Sequence, residues 1–548
     1  MAVSISDVIT YRRLVACGND KLYYEDIDVA GTMTELDTSG YTIDTSDQLV
    51  MFEAYQKVFV VNGAKLGVAD FVNTKLSTAD VRPDDGTNVA PMHGITLTGE
   101  TSNATMIVDY CNANNGAALI YGYVTSGTFQ DAEVVTGTNP SGTPTAVSFT
   151  TDASPVSSPH WYQWTVYPTI GGVSYGSLPA KAYLGCLFNG RCVLAANPNS
   201  PHQWYMSRQA NPWDWAYFAN DAQSPVSGGD DDPGKIGDVV RALIPFDNDR
   251  LVFGCANSTM QLRGDPTFGG VLGTLDDNVG IFGSHSFCFD GDGNLYFWGT
   301  GGIYKCTKQE GVLTRPELLT AIVLPEIIAD EGADPSTHRI TMGYDRKRFG
   351  IMISVTKIAD GSNSCYWYDL RTKGFFPESY PDVCGAYSMF YYAANDPAHT
   401  DLLIGSKDGY IRRHLDTAKD DDSGGDNTKI SSYCTLPITK LGEKEDDEGR
   451  LNSLTIATSG GASGVTIRNT DSVSYELHVS DDAETCLENI LDGAAARESG
   501  TLTGTGRQNR IRKRIRGRYL GIKLYNTEDT ETWAIESVTG EIKPVGKL

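Results

Sequence analysis

One local pattern recurs down this chain and narrows its folding options more than any other: an apolar strand, a short polar turn, then a second apolar strand. LVMFEAYQKVFVVNG (49–63), YLGCLFNGRCVLAA (183–196), VRALIPFDNDRLVFGCANSTMQLRG (240–264), FCFDGDGNLYFWGTGGIYKC (287–306), ITMGYDRKRFGIMISV (340–355) and DLLIGSKDGYIRRHL (401–415) all follow it. The turns are clearest at Phe188-Asn-Gly-Arg191, Phe246-Asp-Asn-Asp-Arg250 and Tyr344-Asp-Arg-Lys-Arg348. Asn189-Gly190 and Asp247-Asn248 supply residues that tolerate left-handed backbone, as tight hairpins require. Phe188, Phe246, Phe289 and Tyr344 recur at roughly 40–60 residues, the spacing of propeller blades with their loops. Antiparallel units of this size, each with an apolar face to bury, stack best around a ring that leaves few free edges. The expected fold is therefore all-β, a β-propeller body with few short helices. A pair of ordinary β-sandwiches is the alternative.

With 548 residues the chain exceeds one ordinary core. Residues 1–87 read as N-terminal strands and a first propeller unit. Residues 88–160, rich in Thr, Ser, Gly and Asn, read as a small β domain inserted between the first and second blade units. The remaining blades fall in 161–415. Within them PELLTAIVLPEIIADEG (316–332) places Leu318, Leu319, Ile322, Val323 and Ile327 at helical spacing, broken by Pro325. One or two short helices are expected there and nowhere else. Residues 416–433 read as an acidic linker, and 434–548 as a C-terminal β region, either a sandwich or strands that close the ring.

The charge balance, 69 acidic against 44 basic residues, gives a net −25. Such a surface repels nucleic acid as a binding target but suits a duct through which DNA slides. The 11 cysteines are an odd number without a C-x-x-C pair, and several sit inside apolar runs. They read as reduced, buried small hydrophobes of a chain made in a cytosol. MAVSISDVITYRR has no apolar core of signal-peptide length, and no stretch is long and apolar enough for a membrane span.

Three motifs imitate chemistry. GGDDDPGKI (228–236) has the glycine and lysine spacing of a phosphate loop, but Ile236 stands where a magnesium-binding hydroxyl belongs and Asp230, Asp231 and Asp232 would face the phosphates. GVSYG (172–176) matches a nucleophile elbow, but Pro179 opposes the helix that must follow. DGDGN (290–294) spaces Asp290, Asp292 and Asn294 like a calcium loop, but Leu295 replaces the required glycine. The eight histidines show no paired metal spacing, and His160 and His202 read as satisfied by backbone. No catalytic, cofactor or metal residue is assigned.

Two stretches stand out. In RQNRIRKRIRGRYLGIKL (507–524) an extended backbone would put Arg510, Arg512, Arg514, Arg516 and Arg518 on one face. Guanidinium groups so arrayed call for anions. The candidates are the acidic loop GEKEDDEG, with Glu443, Glu445, Asp446, Asp447 and Glu448, in the same or a neighbouring subunit, then a partner protein, then DNA phosphate; the bland reading is a solvated edge strand. WYMSRQANPWDW (204–215) concentrates Trp204, Trp213 and Trp215 around Asn211-Pro212. These indoles read as anchors packed on a blade, with Arg208 stacked on an indole or paired with Asp214. The rival reading is a sugar-stacking platform.

The order of these features resembles the tail hub, or nozzle, proteins of short-tailed bacteriophages, also called tail tubular protein B or packaged-DNA stabilisation proteins. LYYEDIDVAGTMTEL, VFVVNG, GYVTSGTFQDAEVV, FNGRCVLAANPNSPHQWYMSRQANPWDW, VRALIPFDNDRLVFGCANSTMQLRGDP, DGNLYFWGTGGIYKC and RIRGRYLGIKLYN carry it. It covers most of the chain, is strongest over 180–310 and weakest over 88–160 and 416–500. The resemblance implies a structural virion protein without enzymatic activity or cofactor, assembled in the host cytoplasm as a ring, typically a hexamer. Its implied partners are the head-to-tail adaptor ring, tail fibres or spikes, and viral double-stranded DNA as passing cargo. A glycan-binding propeller and a propeller glycoside hydrolase, which needs two facing carboxylates, are the competing functions.

Overall fold

The Asn189–Gly190 turn has both residues at positive φ (47° and 67°), joining Leu184–Phe188 to Arg191–Asn197 through the pair Phe188 and Arg191. This mirror-image turn matches the twist of the strands it connects. The other two turns reach the same end differently. Asn248-Asp249 connects its strands without positive φ, with a bulge between Pro245 and Asp247 and the Asp247 carboxylate accepting the Asp249 N–H. At Tyr344–Arg348 the Asp345 carboxylate accepts from Lys347 and Arg348, and Phe349 takes the left-handed position (φ 57°).

The computed structural model describes residues 1–6, 10–26, 31–37, 41–79, 89–114, 117–142, 145–217, 221–228, 235–309, 312–415, 418–423, 426–444, 447–459, 470–503 and 509–546. They form two compact units, one comprising 1–377 with 386–412, the other 378–385 with 413–548.

The first unit is a seven-bladed β-propeller. Among the described residues, six four-stranded antiparallel sheets and one three-stranded sheet follow in chain order: blade 1 (2–36), blade 2 (50–70 with 160–163), blade 3 (184–227), blade 4 (240–276), blade 5 (287–318), blade 6 (338–378) and blade 7 (386–413), the final residues Glu378 and Arg413 of the last two being grouped with the second unit. Apolar side chains join each blade to the next. Phe253 and Leu251 of blade 4 pack with Trp204 and Val193 of blade 3. Phe297 of blade 5 packs with Ile244 of blade 4, and Ile351 of blade 6 with Trp298 of blade 5. The ring closes because Ala2 and Leu14 of blade 1 pack against Tyr392 of blade 7. Asn395 donates to the Arg12 carbonyl and accepts the Arg12 N–H, and Tyr392 bonds Glu25 and the Arg12 carbonyl. Closure is thus made by side chains between a four-stranded and a three-stranded sheet, and among the described residues neither sheet takes a strand from 434–548.

The inserted domain is a six-stranded sheet, in order Ala146–Thr150, Val134–Thr138, Thr96–Gly99, Thr105–Asn114, Ala117–Ser126 and Thr74–Thr78. It begins before residue 88 and lies within blade 2, between the third strand Lys65–Asp70 and the fourth strand His160–Gln163, rather than between blades. HWYQ (160–163), directly after the insert, is therefore the outer strand of that blade.

Over 316–332 only α1 (Ile327–Glu331) is helical; Glu317–Leu318 joins blade 5 as a strand, because edge pairing with Tyr304 and Lys305 overrides the helical spacing. A longer helix unforeseen from periodicity, α2 (Ala483–Leu491), is capped by Asp482, whose carboxylate accepts the Thr485 N–H at 2.7 Å.

The second unit is a β-sandwich. One sheet holds Ser432–Thr435, Thr439–Lys440, Tyr519–Asn526, Ser472–Ser480 and Glu498–Thr503; the other holds Glu448–Thr458, Asn509–Ile511, Ile515–Gly517 and Ile535–Gly546. Leu451, Leu454 and Ile456 meet Val473, Leu477 and Ile522 between them. The segment read as a linker belongs to this unit: Asp421–Ser423 pairs with Asp426–Thr428, Lys419 lies 2.8 Å from Asp471, and Asp420 accepts the Thr530 N–H. Its charges are tied down by partners that spacing along the chain cannot reveal.

Candidate functional site: the joint between blade 2 and the inserted sheet

A buried polar cluster lies where the insert meets the propeller. Lys57 starts the second strand of blade 2, and Asp109 lies on the insert strand Thr105–Asn114. Their charged groups are 2.7 Å apart, with the Lys57 side chain 6% exposed. Asp109 also accepts from Asn73 Nδ2 at 2.7 Å and Trp213 Nε1 at 3.1 Å, and its backbone carbonyl accepts from Tyr167 at 2.7 Å. Asn73 bridges onward to Asp70 at 2.7 Å, and Asp70 accepts from Tyr162 at 3.0 Å. Burial acts to raise the Asp109 pKa, but Lys57, His93 and the Trp213 N–H outweigh it, and the carboxyl is held down at about 2. For Lys57, burial pulls down while Asp109 and Asp70 pull up harder, so its pKa is raised. The charges are spent on one another: the arrangement binds two sheets together and offers no open carboxylate or amine to a substrate.

The tryptophan-rich stretch completes this joint. Trp204, Trp213 and Trp215 are fully buried. Trp213 stacks on Tyr110 of the insert at 4.2 Å, and Trp215 meets Trp164 edge-on at 5.8 Å. Trp164 and Trp215 donate to the same acceptor, the Pro212 carbonyl, at 3.0 and 2.9 Å. Asn211 Oδ1 accepts the Trp213 N–H and sets the turn. Trp204 instead faces blade 4, 5.8 Å from Phe253. None of the three shows a face to solvent, which a sugar platform needs. Arg208 reaches Asp214 at 3.7 Å but holds Asp221 more closely, at 2.6 Å. Arg191, the last residue of the FNGR turn, is wholly buried, pairs with Asp265 at 3.2 Å and donates to the Ser207, Ala222, Gln223 and Ser224 carbonyls. It pins the loop that follows the tryptophans.

The strand expected over 507–524 is broken. Asn509–Ile511 and Ile515–Gly517 both pair with Glu448–Thr458, in registers that differ by one residue, so an extra residue bulges out between them. Arg510, Arg512, Arg514 and Arg516 are nonetheless exposed, and Arg518 is half-buried. Arg510 pairs with Glu541 at 3.2 Å, Arg516 with Glu448, and Arg518 lies 4.0 Å from Asp481. Of the acidic loop, Glu448 thus meets the basic segment within one subunit. Among the described residues Glu443 and Asp447 make no ion pair with it, and Glu445 and Asp446 lie outside the described residues.

The phosphate-loop imitation at 229–234 also lies outside the described residues. At GVSYG, Ile170 and Val173 bridge in a turn, and Ser174 Oγ accepts the Gly176 N–H. At DGDGN the Asp290 carboxylate accepts from the Asp292 and Asn294 N–H groups, closing the hairpin turn. His160 Nε2 lies 3.0 Å from the Asn73 carbonyl. Among the described residues no group of His, Cys, Asp or Glu has the geometry of a metal site, and no helix is long and apolar enough to cross a membrane. All eleven cysteines are free thiols, nine of them buried.

No protein-family model and no curated protein matches this chain. Among solved structures it is similar to the extracellular domain of a putative one component system from B. thetaiotaomicron, at 9% identity and a TM-score of 0.25, over 98% of this chain and 72% of that one. A structural-genomics protein of unknown function from the same organism is similar at 10% identity and a TM-score of 0.22, over 88% and 100%. A glycoside hydrolase is similar at 9% and 0.17, over 96% of each. At these scores the likenesses carry no argument about what this chain does.

Lys57, Asp70 and Asp109 carry no sequence signal. Lys57 opens one ordinary strand and Asp109 lies in another, and only the insertion point brings them together.

Proposed function

We propose that this chain is a structural building block of a bacteriophage tail, the hub or nozzle ring at the end of the DNA-ejection channel, below the portal and adaptor. The observation that carries this reading is the joint itself. An inserted sheet is locked to the propeller by a buried ion pair, a shared tryptophan cluster and a continuous apolar core. Such a joint transmits force without hinging, which suits a particle part more than a sensor or an enzyme. The net charge of −25 suits a wall along which DNA slides, and the order of motifs resembles that family. The partners in this reading are identical copies in a ring, typically six, an adaptor ring, and fibres or spikes. Electron microscopy of the purified full chain tests it: rings with an axial bore are expected, and a protein that stays monomeric at high concentration overturns it.

A second reading draws on one cavity. A cleft of about 420 Å³ between the turns of blades 3 and 4 is lined by Asn189, Gln209, Asp247 and Asn248 over Leu187 and Pro245. Amides beside one carboxylate suit saccharide hydroxyls, the chemistry of a glycan-binding module. The cleft presents a single carboxylate, Asp247, where a hydrolase would need two.

A further inference from the structure

We propose that the C-terminal sandwich carries a head-to-tail contact between copies of this chain, in which the basic outer face of one sheet receives the acidic, leucine-bearing face of α2 from a second copy. The inference rests on the ring reading above, because it supplies the surfaces by which identical subunits would join.

The basic surface follows from strand register. Arg450 is the cross-strand neighbour of Arg516 on one side and Lys543 on the other. The adjoining inward row, Leu451 with Ile515 and Ile542, faces the core, so the three cations stand outward. Like charges directly opposite one another destabilise a sheet unless a counter-charge is supplied. Within the subunit Glu448 serves Arg516 and Glu541 serves Arg510. Arg450 bonds the Asn452 amide oxygen at 3.0 Å. Among the described residues no carboxylate pairs with Arg450, Arg512, Arg514 or Lys543.

The complementary surface lies on the far side of the sandwich. α2 buries Cys486 and Ile490 against the outer face of the other sheet, where Gly521 leaves room for both. The opposite side of the helix turns Glu484 and Glu488 to solvent beside Leu487 and Leu491, which are 41% and 63% exposed. Asp481, Asp482 and Asp492 extend the acidic surface at its ends. Glu484 and Glu488 are separated by a rise of about 6 Å, close to the roughly 4.8 Å between strands, so one helix face spans two basic strands. The leucines then meet the apolar stems of the arginines. Because the two patches differ, the contact is heterologous and builds rings or filaments, not closed dimers.

The test uses the full chain and two charge-reversed variants, R450E/R514E/K543E and E484K/E488K, with assembly read by sedimentation. Each variant alone is expected to associate at least tenfold more weakly than the unaltered chain, and an equimolar mixture is expected to recover assembly, since each then supplies the face the other needs. Recovery also shows that both variants fold. L487S/L491S, altered only at exposed positions, is expected to weaken assembly without changing the circular dichroism spectrum. Assembly of either charge variant at unaltered strength overturns this interface while leaving the ring reading intact. A chain that never associates overturns both. Loss of binding to a short DNA duplex by R450E/R514E/K543E, with assembly unaltered, assigns the basic face to nucleic acid and also overturns the proposal.

Discussion

The Lys57 ammonium lies 2.7 Å from the Asp109 carboxylate, although one belongs to blade 2 and the other to the sheet inserted into it. Each charge is compensated mainly by the other, with Asn73, Asp70 and Trp213 filling the remaining hydrogen-bond positions. Removing one partner leaves a buried charge without compensation. Asp109→Asn and Lys57→Met are therefore each expected to cost about 3–5 kcal/mol of unfolding free energy, read by chemical denaturation. The double variant is expected to lose less than the sum of the two.

The same pair sets a pH window. Asp109 has its pKa depressed to about 2 in the folded chain, against about 3.9 when unfolded. Its contribution is complete above about pH 4 and is lost as the pH falls through about 2. Lys57 is raised above its ordinary value, so its contribution is complete below about 10.4 and is lost as the pH rises through the folded value. Acid unfolding of Asp109→Asn is expected to show a shallower loss of stability between pH 4 and 2 than the unaltered protein. An identical acid limb would remove the pair from this role.

Trp213 contributes both a stacked ring and an N–H to this joint. Trp213→Ala is expected to destabilise the propeller by about 3–5 kcal/mol. Trp213→Phe retains apolar burial but withdraws a charge-assisted hydrogen bond from Asp109, a loss of about 1.5–3 kcal/mol. Thermal and denaturant melts of the two variants separate the contributions.

Ring closure depends on Tyr392, whose hydroxyl bonds Glu25 and the Arg12 carbonyl across the seam between blades 7 and 1. Tyr392→Phe leaves the buried Glu25 without this donor and is expected to cost about 1–3 kcal/mol. Hydrogen exchange is expected to quicken first in the strands Ala2–Ser6 and Ala386–Tyr392, which flank the seam.

Thiol labelling offers a direct check of the core. Cys434 is exposed, and Cys17 is partly buried with its pKa pushed up to about 11 by burial and by Asp20. One fast-reacting thiol is expected in the native protein at neutral pH, and all eleven after unfolding.

The repeated hairpins were readable because their information is local. Alternating apolar residues and a turn such as Asn189-Gly190 specify a strand pair wherever it sits, and units of that length with one apolar face stack around a ring. The three tryptophans were likewise readable as core, since so much apolar surface must be buried. Other features depended on partners distant in the chain. Glu317–Leu318 became a strand because Tyr304 and Lys305 offered it an edge. Arg510 to Arg518 have the alternation of one strand, yet the register against Glu448–Thr458 breaks it with a bulge. Local pattern decides strand and turn because each costs or gains free energy within a few residues. Which edges pair, which charges meet at Asp109 and where the ring closes depend on contacts tens to hundreds of residues apart, whose energies exist only once the sheets are in place.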